Sequence, residues 1–124
     1  MTFLFATASG AIGLPKLGTV LPNHPWTQKN PYIVVLYSHD CGDMGSLWQQ
    51  LTGFPIQAVN AEDISTPAPV ANVWRGEGAT RFSRAIKVRT YPTLIYVENE
   101  KITRFWDPDT AVGLETFLKP LGGQ

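Results

Sequence analysis

A second cysteine is missing from this chain. Cys41 stands alone among 124 residues, which excludes an internal disulfide framework and any zinc site built on several thiolates. It does not choose a compartment, because one free thiol is compatible with the cytoplasm and with a bacterial periplasm alike. Charge is scarce as well. Charged residues make up 16% of the chain and cancel to a formal net of zero. That balance gives no electrostatic reason to expect nucleic acid or a membrane surface as the main partner. Nor is there an apolar run of the roughly 20 residues that a bilayer-spanning helix needs, so no membrane span is expected. FLFATASGAIGL, residues 3–14, is uncharged but short and lacks the basic flank of a secretory signal. A buried strand or packing segment is the expectation there, ahead of a targeting remnant.

What is present is an ordinary globular composition, 44% hydrophobic. A chain of this length suits one domain that buries about two-thirds of its unfolded surface. The expected unit is a single domain over 1–124, with its core at about 32–119 behind an irregular segment at 1–31. Residues 15–31 carry four prolines; Thr19 to Leu21 could form a short strand, and His24 reads as a surface residue. YIVVLYS, 32–38, is a continuous β-branched and aromatic run, as in a central strand covered on both faces. From Met44, the residues Leu47, Trp48 and Leu51 recur at helical spacing, and Gly53 supplies a stop. PIQAVN, 55–60, suits a second strand, parallel to the first through a right-handed crossover. A long loop is expected over 61–78, with one helical turn near Val70 to Trp74. A short amphipathic helix over 79–87 would turn Phe82 and Ile86 inward. TLIYVEN and KITRFW predict a hairpin across Glu98 to Lys101. A closing helix is expected from an Asp109 N-cap to Lys119, with Val112, Leu114, Phe117 and Leu118 on its apolar side and LGGQ as a frayed tail. The fold class is therefore α/β, a sandwich in which helices flank a central mixed sheet.

Two stretches carry the chemistry. HDCGDMGSLW, 39–48, places Cys41 where a central strand gives way to a helix, and a helix start stabilises a thiolate. Gly42 lets the chain turn sharply and lets a partner's backbone approach. VRTYPT, 88–93, places Pro92 before a strand and after an aromatic, a setting for a cis peptide bond. Such a bond would present the Tyr91 backbone for pairing with an extended peptide.

Taken together, YIVVLYSHDCGDM, VRTYPTLIYVENEKI and the final amphipathic helix resemble the thioredoxin-like superfamily, over roughly residues 32–119. The resemblance implies a thioredoxin-like three-layer sandwich. It sets Cys41 at the nucleophile and Met44 at the position of the resolving thiol. Gly42, Tyr91 and Pro92 then fall in the substrate-binding groove, with a protein or peptide thiol or disulfide as partner and no cofactor. The chain also departs from the family. Met44 replaces the second cysteine, Asp40 replaces a tryptophan, and Val35 replaces a buried acid. Trp106, Asp107 and Pro108 stand where glycines usually flank the hairpin. A carboxylate at Asp40 also opposes the helix dipole at the thiol. The CG-x-x form is similar to monothiol glutaredoxins, without their final serine and without a clear glutathione-binding signature.

A nucleophile with no resolving thiol forms a mixed disulfide that an outside thiol must release. Three readings stand side by side. Cys41 acts in monothiol exchange, or it is a residual thiol on a scaffold that binds a peptide or protein. The third reading has His39, Cys41 and Met44 as soft and borderline ligands handling Cu(I). Met44 otherwise reads as a helix packing residue. Arg75, Arg81, Arg84, Lys87 and Arg89 read as a solvated face, with an anionic partner near Tyr91 as the alternative. Most tryptophans read as core, although Trp48 and Trp74 could border the Cys41 site.

Overall fold

The structure, a computed structural model, describes residues 16–62, 68–70, 72–88, 90–110 and 112–122. The expectation for residues 3–14 lies outside that range, as do Arg89 and part of the 61–78 loop. Five strands are described: β1 (Tyr32–Tyr37), β2 (Ile56–Asn60), β3 (Val73–Trp74), β4 (Thr93–Glu98) and β5 (Lys101–Trp106). The helices are α1 (Gly45–Gln50), α2 (Glu77–Ala85) and α3 (Leu114–Gly122). The strands form one mixed sheet in the order β3-β2-β1-β4-β5. β1, β2 and β3 run parallel, and β4 pairs antiparallel with both β1 and β5. The parallel neighbours expected from 32–38 and 55–60 are present, each to within one residue.

The two-residue alternation of a strand divides the core. Tyr32, Val34 and Leu36 face Phe82 and Ile86 on one side of the sheet. Ile33, Val35 and Tyr37 face the other, against Trp48 and Leu51 beside α1 and against Leu114, Phe117 and Leu118 of α3. Every residue of β1 is buried, which is why its sequence is apolar without alternation. Helices thus cover both faces of a mixed sheet, the arrangement of an α/β sandwich. None of the described helices is long and apolar enough to cross a membrane.

The hairpin is closed by Asn99 and Glu100, both at positive φ (54° and 62°). That conformation matches the twist of a two-residue hairpin. The Glu100 side chain is then aimed back, accepting from the Tyr32 hydroxyl at 3.0 Å and pairing with His24 Nε2 at 2.5 Å. His24 is accordingly not a surface residue. Its side chain is 11% exposed and stacks on Trp26 with ring centroids 4.3 Å apart.

Four further expectations are corrected. The helical turn near Val70 to Trp74 is instead strand β3, with Val73 opposite Ala58 and Trp74 opposite Val59. A β-branched and aromatic pair beside an open sheet edge satisfies its backbone by pairing. The second helix begins earlier, at Glu77, and ends at Ala85, leaving Ile86 buried just past it. Asp109 does not cap the last helix: its N–H donates to Asp107 Oδ1 at 2.8 Å within a turn. The helix starts at Leu114, Val112 is left exposed, and the last turn runs on to Gly122. The short strand near Thr19 is a single bridge from Val20 to Lys101 at the β5 edge.

Candidate functional site

The site is built at the carboxyl end of β1. Leu36 pairs with Thr93, so the chain leaving β1 toward Cys41 and the chain entering β4 from Tyr91 and Pro92 lie at the same end of two adjacent central strands. The Tyr91–Pro92 peptide bond is cis, as is Asn30–Pro31. Cys41 does not open an α-helix. It closes a 3-10 turn over His39–Cys41, and α1 begins only at Gly45, with Met44 in the capping position. Gly42 and the acids Asp40 and Asp43 between strand and helix favour a tight turn over a continuous helix.

That turn has its own capping arrangement. The Ser38 hydroxyl accepts the Asp40 N–H at 3.4 Å, and the Ser38 N–H is directed at Cys41 Sγ at 3.3 Å. A thiolate at Sγ is thereby met by a backbone donor, in place of the helix-start donors that the sequence suggested. Cys41 is partly buried and is the one free thiol. Cys41 and Met44 each pack against the buried cluster that contains Trp48, on the face that α1 covers. Gly42 follows with φ 70° and ψ −145°, a conformation open essentially to glycine alone.

His39 is held by two carboxylates. Its Nδ1 lies 2.5 Å from Glu62 Oε2 and its Nε2 lies 3.0 Å from Asp40 Oδ1. The same Glu62 oxygen accepts the His39 backbone N–H. The Glu62 hydrogen bond pushes the His39 pKa up, burial opposes it, and the charges of Asp40 and Glu62 add to the rise. Glu62 is pushed down, first by the His39 backbone N–H and then by the His39 ring. Asp40, expected to confront the thiol, is mostly exposed and faces His39 instead.

Two phenols complete the surroundings. Burial raises the Tyr91 pKa, and charge at Glu62 and Cys41 adds to the rise while Ser83 and Arg84 oppose it. Burial likewise raises Tyr37, with Arg75 opposing and Cys41 adding. Cys41 therefore lies within electrostatic reach of both rings. Trp74 does not border the thiol: it packs with Trp26 and Phe82 on the opposite face of the sheet. Arg81, Arg84 and Lys87 are exposed, and Arg81 pairs with Glu77 at 3.4 Å.

Ser38, Tyr37 and Glu62 were not singled out from the sequence. Glu62 had a signal, because parallel neighbours β1 and β2 end together and Glu62 lies two residues past Asn60. Among the described residues, no group of three or more His, Cys, Asp or Glu is disposed to hold a metal ion. Both ring nitrogens of His39 already face carboxylates. The chain matches no protein-family model, and no curated protein matches it.

Proposed function

We propose that this chain is a thioredoxin-like protein that carries out thiol–disulfide exchange through Cys41 alone. The observation that carries the reading is the Ser38 N–H directed at Sγ of a partly exposed cysteine, beside the Tyr91–Pro92 loop. A backbone donor stabilises developing charge on sulfur, as charge-assisted hydrogen bonds do. In the first step Cys41 thiolate attacks one sulfur of a partner disulfide. The Sγ–S bond forms, the partner's S–S bond breaks, and the second partner sulfur leaves as a thiolate. Met44 cannot attack that mixed disulfide, so release needs an external thiol, which departs in a new disulfide with the partner and regenerates Cys41. The copper reading is weaker, because His39 would first have to give up both carboxylates.

The reading is tested by trapping. Non-reducing gels of cell extract containing the wild-type chain should show higher-mass species that collapse with reductant and are absent for Cys41→Ser. Partners that stay with Cys41→Ser in a reductant-insensitive manner would instead make the groove a binding site with an incidental thiol.

A further inference from the structure

We infer a second binding site, remote from Cys41 in its lining, for an uncharged saccharide. A cleft of about 530 Å³ lies beside the open β3 edge and is lined by Trp26, Thr27, Gln57, Asn72 and Trp74 among others. Its volume falls within the range of ligand pockets. No residue lining it carries a charge, so neither an anion nor a cation would find a counter-charge there.

What the lining does offer is of two kinds. Trp26 and Trp74 bring two indole rings, centroids 5.7 Å apart and inclined at 82°. Thr27, Gln57 and Asn72 bring hydroxyl and amide groups, which as a set both donate and accept hydrogen bonds. A sugar ring presents the same two features in complement. Its C–H face is weakly positive and settles on the electron-rich face of an indole, while each hydroxyl both donates and accepts.

The rings are held in place before any ligand arrives. His24 stacks on Trp26 at 4.3 Å, and the Trp26 Nε1–H donates to the Tyr32 hydroxyl at 3.0 Å. Trp74 lies over α2 so closely that a Cβ at Gly78 would sit 3.1 Å from its Cζ2. Gln57 Nε2 donates to Gln28 Oε1 at 2.5 Å, which orients the amide. Rings and amides fixed in advance lower the ordering cost of binding. An added peptide strand fits less well, because β3 offers only the two residues Val73–Trp74 for main-chain pairing.

The site is tested by titrating the full chain with cellotriose, maltotriose and chitotriose, followed by tryptophan fluorescence and calorimetry. A heparin-derived disaccharide and a hexaproline peptide serve as charged and peptide probes. At least one neutral trisaccharide should bind saturably, and Trp74→Ala should weaken it about tenfold, the scale of a lost ring contact. Asn72→Ala, at an exposed position that does not threaten folding, should weaken binding in the same direction. Gly78→Ala should do so too, by displacing the Trp74 ring without removing it. The inference is overturned if no neutral trisaccharide saturates up to about 10 mM, or if binding is unchanged in both Trp74→Ala and Asn72→Ala. Binding of the proline peptide or the charged probe at Trp74 in place of the neutral sugars would overturn it as well.

Discussion

Glu62 Oε2 accepts two hydrogen bonds from His39, one from its backbone N–H and one from Nδ1 at 2.5 Å. Through this carboxylate the turn that carries Cys41 is tied to the end of β2. His39 is raised above its ordinary 6.5, so its contribution to stability is complete below that value and is lost as pH rises through the raised pKa. Glu62 is lowered below its ordinary 4.5, so its contribution is complete above that value and is lost as pH falls through the lowered pKa. The pair therefore stabilises most between these two ordinary values. Thermal melts of wild type and Glu62→Gln over a pH series should differ most in that window and converge on both sides. A difference that stays constant with pH would mean that Glu62 acts by packing alone.

The phenols answer to alkali. Burial, aided by the Glu100 carboxylate and opposed by the Trp26 N–H, pushes the Tyr32 pKa up to about 12. Burial also raises Tyr37, Tyr91 and Tyr96. A raised phenol stabilises the fold fully below its ordinary value of 10.0 and loses that contribution as pH rises through the folded pKa. Ultraviolet titration of the native chain should show less tyrosinate at pH 10 than the urea-unfolded chain, which is half ionised there. Native and unfolded curves that superimpose would contradict this packing.

Gly42 holds the turn after Cys41 at φ 70°, and a Cβ placed there would meet nothing within 4 Å. The cost of a side chain is thus backbone strain with no clash, on the order of 1–3 kcal/mol. It is reduced by the smaller unfolded-state entropy of alanine, about 0.4–1 kcal/mol. Urea unfolding of Gly42→Ala should show a lower midpoint with an unchanged slope. An equal or higher midpoint would show that the turn tolerates an ordinary residue.

On the proposed exchange reading, position 44 is where a resolving sulfur would stand. Met44→Cys should let the reduced chain release a bound partner by itself: the introduced thiol attacks Cys41 Sγ, an internal disulfide closes, and one equivalent of fully reduced partner is freed per chain with no thiol added. Wild type should hold the partner as the mixed disulfide and free no fully reduced partner until an outside thiol is added. Equal behaviour of the two chains would show that residue 44 does not reach the mixed disulfide.

Much of the fold was legible because apolar periodicity reports directly on burial. YIVVLYS reads as a strand covered on both faces, and Phe82 and Ile86 as inward positions, since neither depends on remote partners. What was hidden depended on pairing across long separations. Val73–Trp74 is too short to announce itself as a strand and becomes one only beside Ala58 and Val59. Asp109 looks like a helix cap until Asp107 takes its N–H. His24 looks exposed among prolines until Glu100 and Trp26 enclose it. At the candidate site, the cis bond of Tyr91–Pro92 was legible from local pattern. Glu62 was not, because its partner His39 lies twenty-three residues away.

The account rests on Cys41 as a working nucleophile, and intact-mass spectrometry of the reduced chain mixed with a disulfide-linked peptide tests this most directly. The account predicts a one-to-one mixed disulfide on Cys41, absent in Cys41→Ser. It should form faster in the folded chain than in urea and persist until a small thiol is added. An adduct that forms no faster in the folded chain than in the unfolded one would contradict it, and so would repeated release of reduced peptide with no thiol added.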